Sequence, residues 1–260
     1  MKEYDEFLPE EERQIIPPKE KKPLKERIKR FLLKFTLYFF GITIFWVILL
    51  RFIPVFFTLT MLSRSVEGLF DKDSEAKIYY DWTPIEDISP DMPIAVIASE
   101  DQNFPTHNGF DFVAIERAIE RNKTSKIKYG ASTISQQVAK NVFLWQGRSW
   151  LRKGLEVYFT FLIETIWSKK RIMEVYLNVA ETGKNTFGVQ AAAQRFYKKK
   201  ASQLIPAETA RIAAVLPNPR VYSIKNPTSY TLLRQNQIAY QMRLLGGRSY
   251  WNTSEIKDTK

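Results

Sequence analysis

From Pro90 to Leu245 apolar residues recur every three to four positions, the spacing of helices that bury one face. Capping residues punctuate the pattern. A first helix is predicted over Met92–Ser99, ending at Glu100-Asp101, and a second over Phe110–Arg121. Thr133, with Gln136 three positions on, forms a capping box for a helix reaching Phe143. Ser149 caps Trp150–Trp167, and Ser168 caps Lys169–Val179. Further helices are predicted over Phe187–Tyr197, Pro206–Leu216 (with Pro206 in the first turn) and Thr228–Leu245, which stops at Gly246-Gly247. No run alternates as a strand does. Asn122–Gly130 and Glu181–Asn185 read as loops, and the class is mainly α.

Ahead of this region the pattern changes. Phe31–Leu50 is an almost unbroken apolar run with Lys34 near one end, long enough for a single transmembrane helix. The basic stretch Lys19–Arg30 precedes it, which by the positive-inside rule keeps the N-terminus in the cytoplasm and the remainder of the chain outside. A second apolar stretch, Phe52–Leu62, is too short to cross again and is expected at the membrane interface. The organisation expected is therefore a basic tail (1–30), a transmembrane helix (31–51), an interface segment and linker (52–75), a helical domain (76–246) and a C-terminal tail (247–260).

Composition narrows the chemistry. The formal charge of +11 points to an anionic partner: nucleic acid, an acidic membrane surface or a phosphate-bearing substrate. Placement of the domain outside the membrane argues against nucleic acid. Cysteine is absent and His107 is the only histidine, so thiolate nucleophiles, His-based triads and Cys/His metal sites are excluded. Carboxylates, Lys, Arg and hydroxyls remain.

Glu100-Asp101 closes the apolar helix MPIAVIAS. Taken alone it reads as a solvated helix end, yet a carboxylate against apolar surface can work as a base near neutrality. Arg152 and Glu156, one helical turn apart beside Lys153, read as a surface salt bridge or as cleft-lining charges. The apolar neighbours Leu151, Leu155, Phe159 and Leu162 favour the cleft. Gln137, Lys140 and Asn141 share another helical face and offer donors to phosphate or sugar oxygens. Two carboxylates are the usual equipment of glycosidic-bond chemistry, and cations beside them suit a phosphate-bearing leaving group.

Five segments occur in order: SEDQNFPTHNGFD (99–111), GASTISQQVAKNVFL (130–144), RKGLE (152–156), SKKRIMEVYLN (168–178) and FGVQAAAQRFY (187–197). Together they resemble the motif blocks of the family 51 peptidoglycan glycosyltransferases, specifically its monofunctional members, over about Trp82 to Tyr222. The resemblance implies a lysozyme-like helical fold and lipid II as substrate, polymerised into β-1,4-linked strands with release of undecaprenyl pyrophosphate. It implies Glu100 as the catalytic base and Glu156 as the second glutamate, suited to charge organisation or metal binding. Lys140, Arg152 and Lys153 would face the pyrophosphate. Thr133, Gln137 and Asn141 match polar positions, and Asp101, Phe104 and His107 complete the first block, with His107 keeping shape.

A weakly bound divalent cation such as Mg²⁺ is expected, at no site the sequence specifies. Expected partners are lipid II, the growing lipid-linked strand, membrane lipid and other cell-wall synthesis or division proteins, at a bacterial inner membrane with the catalytic domain periplasmic. Thr182 and Thr186 depart from the family pattern, where an aromatic residue or another side chain is common. A lytic enzyme on the same scaffold would have no use for cations such as Lys140 and Arg152.

Overall fold

A computed structural model describes residues 23–70, 77–125, 130–147 and 149–252. The N-terminal part of the expected tail, part of the expected linker, the centre of the Lys-rich loop and the last eight residues lie outside these ranges. The chain divides into two compact units, residues 1–45 and 46–260.

Helix α1 (Leu24–Leu50) begins inside the basic run rather than at Phe31, because Lys, Arg and Glu are good helix formers and nothing between them breaks the turn. It is long and apolar enough to cross a membrane. The second apolar stretch is only partly extended. From Leu59 it becomes helix α2 (Leu59–Phe70), an element that the apolar run alone does not predict.

The helices of the second unit start where their caps predict. Helix α3 spans Asp91–Glu100, α4 Phe112–Thr124, α5 Ile134–Phe143, α6 Trp150–Ile166 and α7 Lys169–Val179. Ser149 and Ser168 accept from the backbone N–H groups of Arg152 and Arg171, and Thr133 with Gln136 makes both bonds of the capping box. Asp111 caps α4 through the N–H of Ala114, which moves its start two residues beyond Phe110.

The expectation of no strands is corrected here. Strand β1 (Tyr79–Tyr80), β2 (Glu181–Gly183) and β3 (Thr186–Phe187) form a small sheet in the order β1-β3-β2, with β1 parallel and β2 antiparallel to β3. Glu181–Asn185 is thus a strand and a tight turn, with Asn185 at φ 53°. Such short strands leave no alternation to read. Thr182 and Thr186 are buried, and the Thr182 hydroxyl donates to the Thr186 carbonyl at 3.2 Å.

Helix α8 starts at Val189, not Phe187, and continues as a π-helical turn over Ala193–Tyr197. Helices α9 (Pro206–Val215), α10 (Ser229–Leu244) and α11 (Arg248–Asn252) complete the order.

Helix α3 is apolar all round and accordingly buried all round, with Met92, Ile94, Ala95, Val96 and Ile97 wholly inaccessible. It packs on α9 and α10, while α5 packs on α6 and α7. Glu100 therefore emerges at the end of the central helix, facing α5.

Candidate active site

Glu100 Oε2 accepts a hydrogen bond from Gln137 Nε2 at 3.0 Å, and Oε1 lies 3.4 Å from the Ser99 hydroxyl. Its carboxyl pKa is raised, chiefly by burial, against the lowering effects of Gln137, the Arg234 charge, Ser99 and Lys140. Gln137 is held in turn. The hydroxyl of Tyr176, on α7, donates to Gln137 Oε1 at 3.2 Å.

The cations divide into two kinds. Arg152 Nη1 donates to Glu156 Oε2 at 3.1 Å and Lys153 Nζ donates to Oε1 of the same carboxylate, so both Glu156 oxygens are engaged by its own helix. Glu156 is buried, with 3% relative exposure. The side chain of Lys140, one turn beyond Gln137 on α5, makes no hydrogen bond or ion pair among the described residues. Burial lowers its pKa, with Glu156 and Glu100 pulling it up and Arg152 and Lys153 pushing it down. Lys140 thus lies within the fields of both glutamates.

The first motif block shapes a loop. His107 Nε2 lies 2.9 Å from Asp101 Oδ1, and His107 Nδ1 accepts the N–H of Gly109 at 3.1 Å. Asp101 Oδ2 also accepts the N–H of Ile134, tying the loop to the start of α5. Phe104 is fully buried, edge-on to the His107 ring. Lys169 Nζ sits 4.6 Å above Phe104, donating to the His107 carbonyl and to Glu164 Oε1, which also accepts from Ser135. Gly109, at φ 87°, meets Thr160: an added Cβ would lie 2.7 Å from its Cγ2.

Cavities lie on several sides of Glu100 and Gln137. One, of about 320 Å³, is lined by Glu100, Asp101, Asp111, Arg117 and Gly130–Thr133. Another, of about 160 Å³, is lined by Gln137, Lys140, Asn141, Tyr176, Glu181 and Thr60 among others. A third, of about 480 Å³, is lined by Glu100, Ser99 and Arg234 among others. Glu100 and the trio Gln137, Lys140 and Asn141 thus line different cavities, linked by the hydrogen bond from Gln137 to Glu100. Thr133 reaches the first cavity, but its hydroxyl is spent on the α5 cap and on the Gly109 carbonyl at 2.7 Å, so it has no donor left for a substrate. Asp101, Phe104 and His107 act within the loop.

Sequence reasoning misses Ser99, Tyr176 and Arg234. Ser99 and Tyr176 lie inside the motif segments, yet only the fold turns them toward Glu100. Arg234, on α10, gives no signal. It donates to the Ser99 carbonyl at 3.0 Å.

Among the described residues no group of three or more His, Asp or Glu side chains could hold a metal ion. Glu156, the carboxylate that the sequence offers for metal binding, has both oxygens engaged by Arg152 and Lys153.

The family model described as Transglycosylase matches residues 69–243. The chain belongs to the transglycosylase family. Relatives named "Biosynthetic peptidoglycan transglycosylase" occur in Mannheimia succiniciproducens, 49% identical over 232 residues (89% of this chain, 93% of the relative), and in Pasteurella multocida, 52% identical over 200 residues (77% and 81%). Another, from Bacteroides thetaiotaomicron, is 50% identical over 223 residues (86% and 89%). The family match in this transglycosylase encloses Glu100, Gln137, Lys140, Arg152 and Glu156, along with every helix from α3 to α9. As a transglycosylase it is an enzyme of the glycosyltransferase class.

Proposed function

We propose that this transglycosylase polymerises lipid II into β-1,4-linked peptidoglycan strands, releasing undecaprenyl pyrophosphate and carrying out no transpeptidation. The observation that carries the reading is a carboxylate, Glu100, with its pKa raised by burial, in a cleft whose nearby cation Lys140 is uncommitted. Glu100 takes the proton of the acceptor's 4-hydroxyl as that oxygen bonds to C1 of the lipid-linked N-acetylmuramate. The bond from C1 to the pyrophosphate oxygen breaks, and the electron pair leaves with the pyrophosphate. Lys140 meets the charge that develops there. Arg152 and Lys153, balanced by one Glu156, contribute a net positive charge from the neighbouring helix.

A raised pKa suits this role. In its ionised form Glu100 is a stronger base than an exposed carboxylate. A weakly bound divalent cation such as Mg²⁺ would help neutralise the pyrophosphate oxygens.

Helix α1 serves as a membrane anchor in this reading. Lys25, Arg27, Lys29 and Arg30 at its start support a cytoplasmic N-terminus, with the catalytic domain then on the periplasmic side of a bacterial inner membrane. Exposed Phe52, Phe56 and Phe57, with Leu62, Leu69 and Phe70 on α2, supply apolar surface for the membrane interface where the polyprenyl tail of the substrate resides. The growing strand and membrane lipid are partners by the same reasoning, and other cell-wall synthesis or division proteins would work beside such an enzyme.

The test is incubation of the detergent-solubilised chain with labelled lipid II. Polymer that lysozyme digests, made by the native chain and not by Glu100→Gln, is the expected result. Absence of polymer where a control polymerase succeeds would overturn the reading.

A further inference from the structure

We propose that Tyr176 is a positioning residue that sets the orientation of the Gln137 amide and, through it, the proton affinity of Glu100. This rests on the reading of Glu100 as the base. The Tyr176 side chain is buried and belongs to α7, which packs against α5. Its hydroxyl donates to Gln137 Oε1 at 3.2 Å, while Gln137 Nε2 donates to Glu100 Oε2 at 3.0 Å.

A primary amide has one accepting end and one donating end, so turning it over exchanges the two. With the phenol donating to Oε1, the N–H of Gln137 must face Glu100. That arrangement stabilises the carboxylate and disfavours the acid. The reversed amide would press Oε1 against the ionised carboxylate and would suit only protonated Glu100. Burial, with the charges of Glu100 and Asp101, raises the Tyr176 pKa well above the ordinary phenol value, so the donor is retained throughout the working pH range. A phenol can accept as well as donate, so the ionised Glu100 and the Tyr176 hydroxyl hold this orientation together, one at each end of the amide, and Tyr176 does so without taking the proton itself.

The experiment compares the full chain with Tyr176→Phe, which removes one oxygen from a buried ring. The acid limb of the kcat/KM profile on lipid II is expected to move upward by about one pH unit, the scale of one hydrogen bond to a charged group. The change should appear in kcat at neutral pH more than in KM. A ¹³C-glutamate NMR titration in detergent, with Glu100 assigned by its loss in Glu100→Gln, should move the same way without any substrate present. Gln137→Met should also raise the Glu100 pKa, and adding Tyr176→Phe to it should add little.

An unmoved Glu100 titration in Tyr176→Phe overturns the inference, as does full additivity with Gln137→Met. If Tyr176→Phe loses its helical circular dichroism, 3-fluorotyrosine at 176, which changes donor strength and little else, must still shift the limb. A native chain that makes no polymer would instead count against the proposed function, leaving the NMR titration to decide the relay.

Discussion

His107 Nε2 lies 2.9 Å from Asp101 Oδ1 while its other ring nitrogen, Nδ1, accepts the backbone N–H of Gly109. Nδ1 must therefore be unprotonated, which places the ring proton on Nε2 and points it at Asp101. Both nitrogens are committed to the loop that succeeds Glu100. Replacing His107 with Ala is expected to lower stability by roughly 1–3 kcal/mol, since a buried Asp101 oxygen loses its donor. Urea denaturation monitored by circular dichroism measures this. A variant as stable as the native chain, but inactive, would give His107 a chemical role instead.

Glu100→Gln should abolish polymerisation, by roughly 10²-fold or more for loss of a general base. It should also raise the melting temperature at neutral pH. Burial raises the folded-state pKa of Glu100, so the folded chain binds this proton more tightly than the unfolded chain. The stability contribution of the group is fully present below its unfolded pKa and is lost as pH rises through the folded value. The advantage of Gln should therefore shrink as the pH is lowered through that window. Thermal melts at several pH values read both the sign and the trend.

Lys140 is expected to govern the alkaline side of the activity profile. Burial lowers its pKa, so it loses its charge at lower pH than an exposed lysine does. Polymerisation should fall early as pH rises, and Lys140→Arg should carry that limb upward. Lys140→Met should reduce kcat/KM by roughly 10²–10³-fold, the range for one electrostatic donor at a developing charge.

Glu156→Gln leaves the partly buried Arg152 without its counter-charge, and its neighbour Lys153 likewise. Loss of roughly 3 kcal/mol of stability is expected from breaking such a pair on one side. Polymerisation should fall as well. Full activity at native stability would remove Glu156 from the proposed charge arrangement.

Gly188 sits at φ 81°, and a Cβ there would lie 2.5 Å from the carbonyl oxygen of Asn178. Neither a positive φ nor a backbone contact can relax cheaply. Gly188→Ala should therefore misfold or lose several degrees of melting temperature. Gly154→Ala, where nothing lies within 4 Å and the backbone is helical, should be neutral or slightly stabilising.

Helix starts are the most legible feature of the chain, because capping is local chemistry: Ser149, Ser168 and Thr133 each bond a backbone N–H within three residues. Glu100, Lys140 and Gln137 are also readable, since the motif segments carry them. The small sheet is not. Its strands are two or three residues long, and β1 is held by pairing with positions about a hundred residues away. Tyr176 and Arg234 escape for a similar reason, since nothing in their own segments points across the fold to Glu100. Thr133 misleads in the opposite direction: the local cap that makes it visible also consumes its hydroxyl.

Arg152, Lys153 and Glu156 stand within about one turn of α6 and bond to one another rather than to a second element. Their separation is set by helix pitch and not by how neighbouring helices are seated. Charges contributed by separate elements would part whenever those elements shifted. Confined to α6, the net positive charge of this trio would move with its helix as a unit.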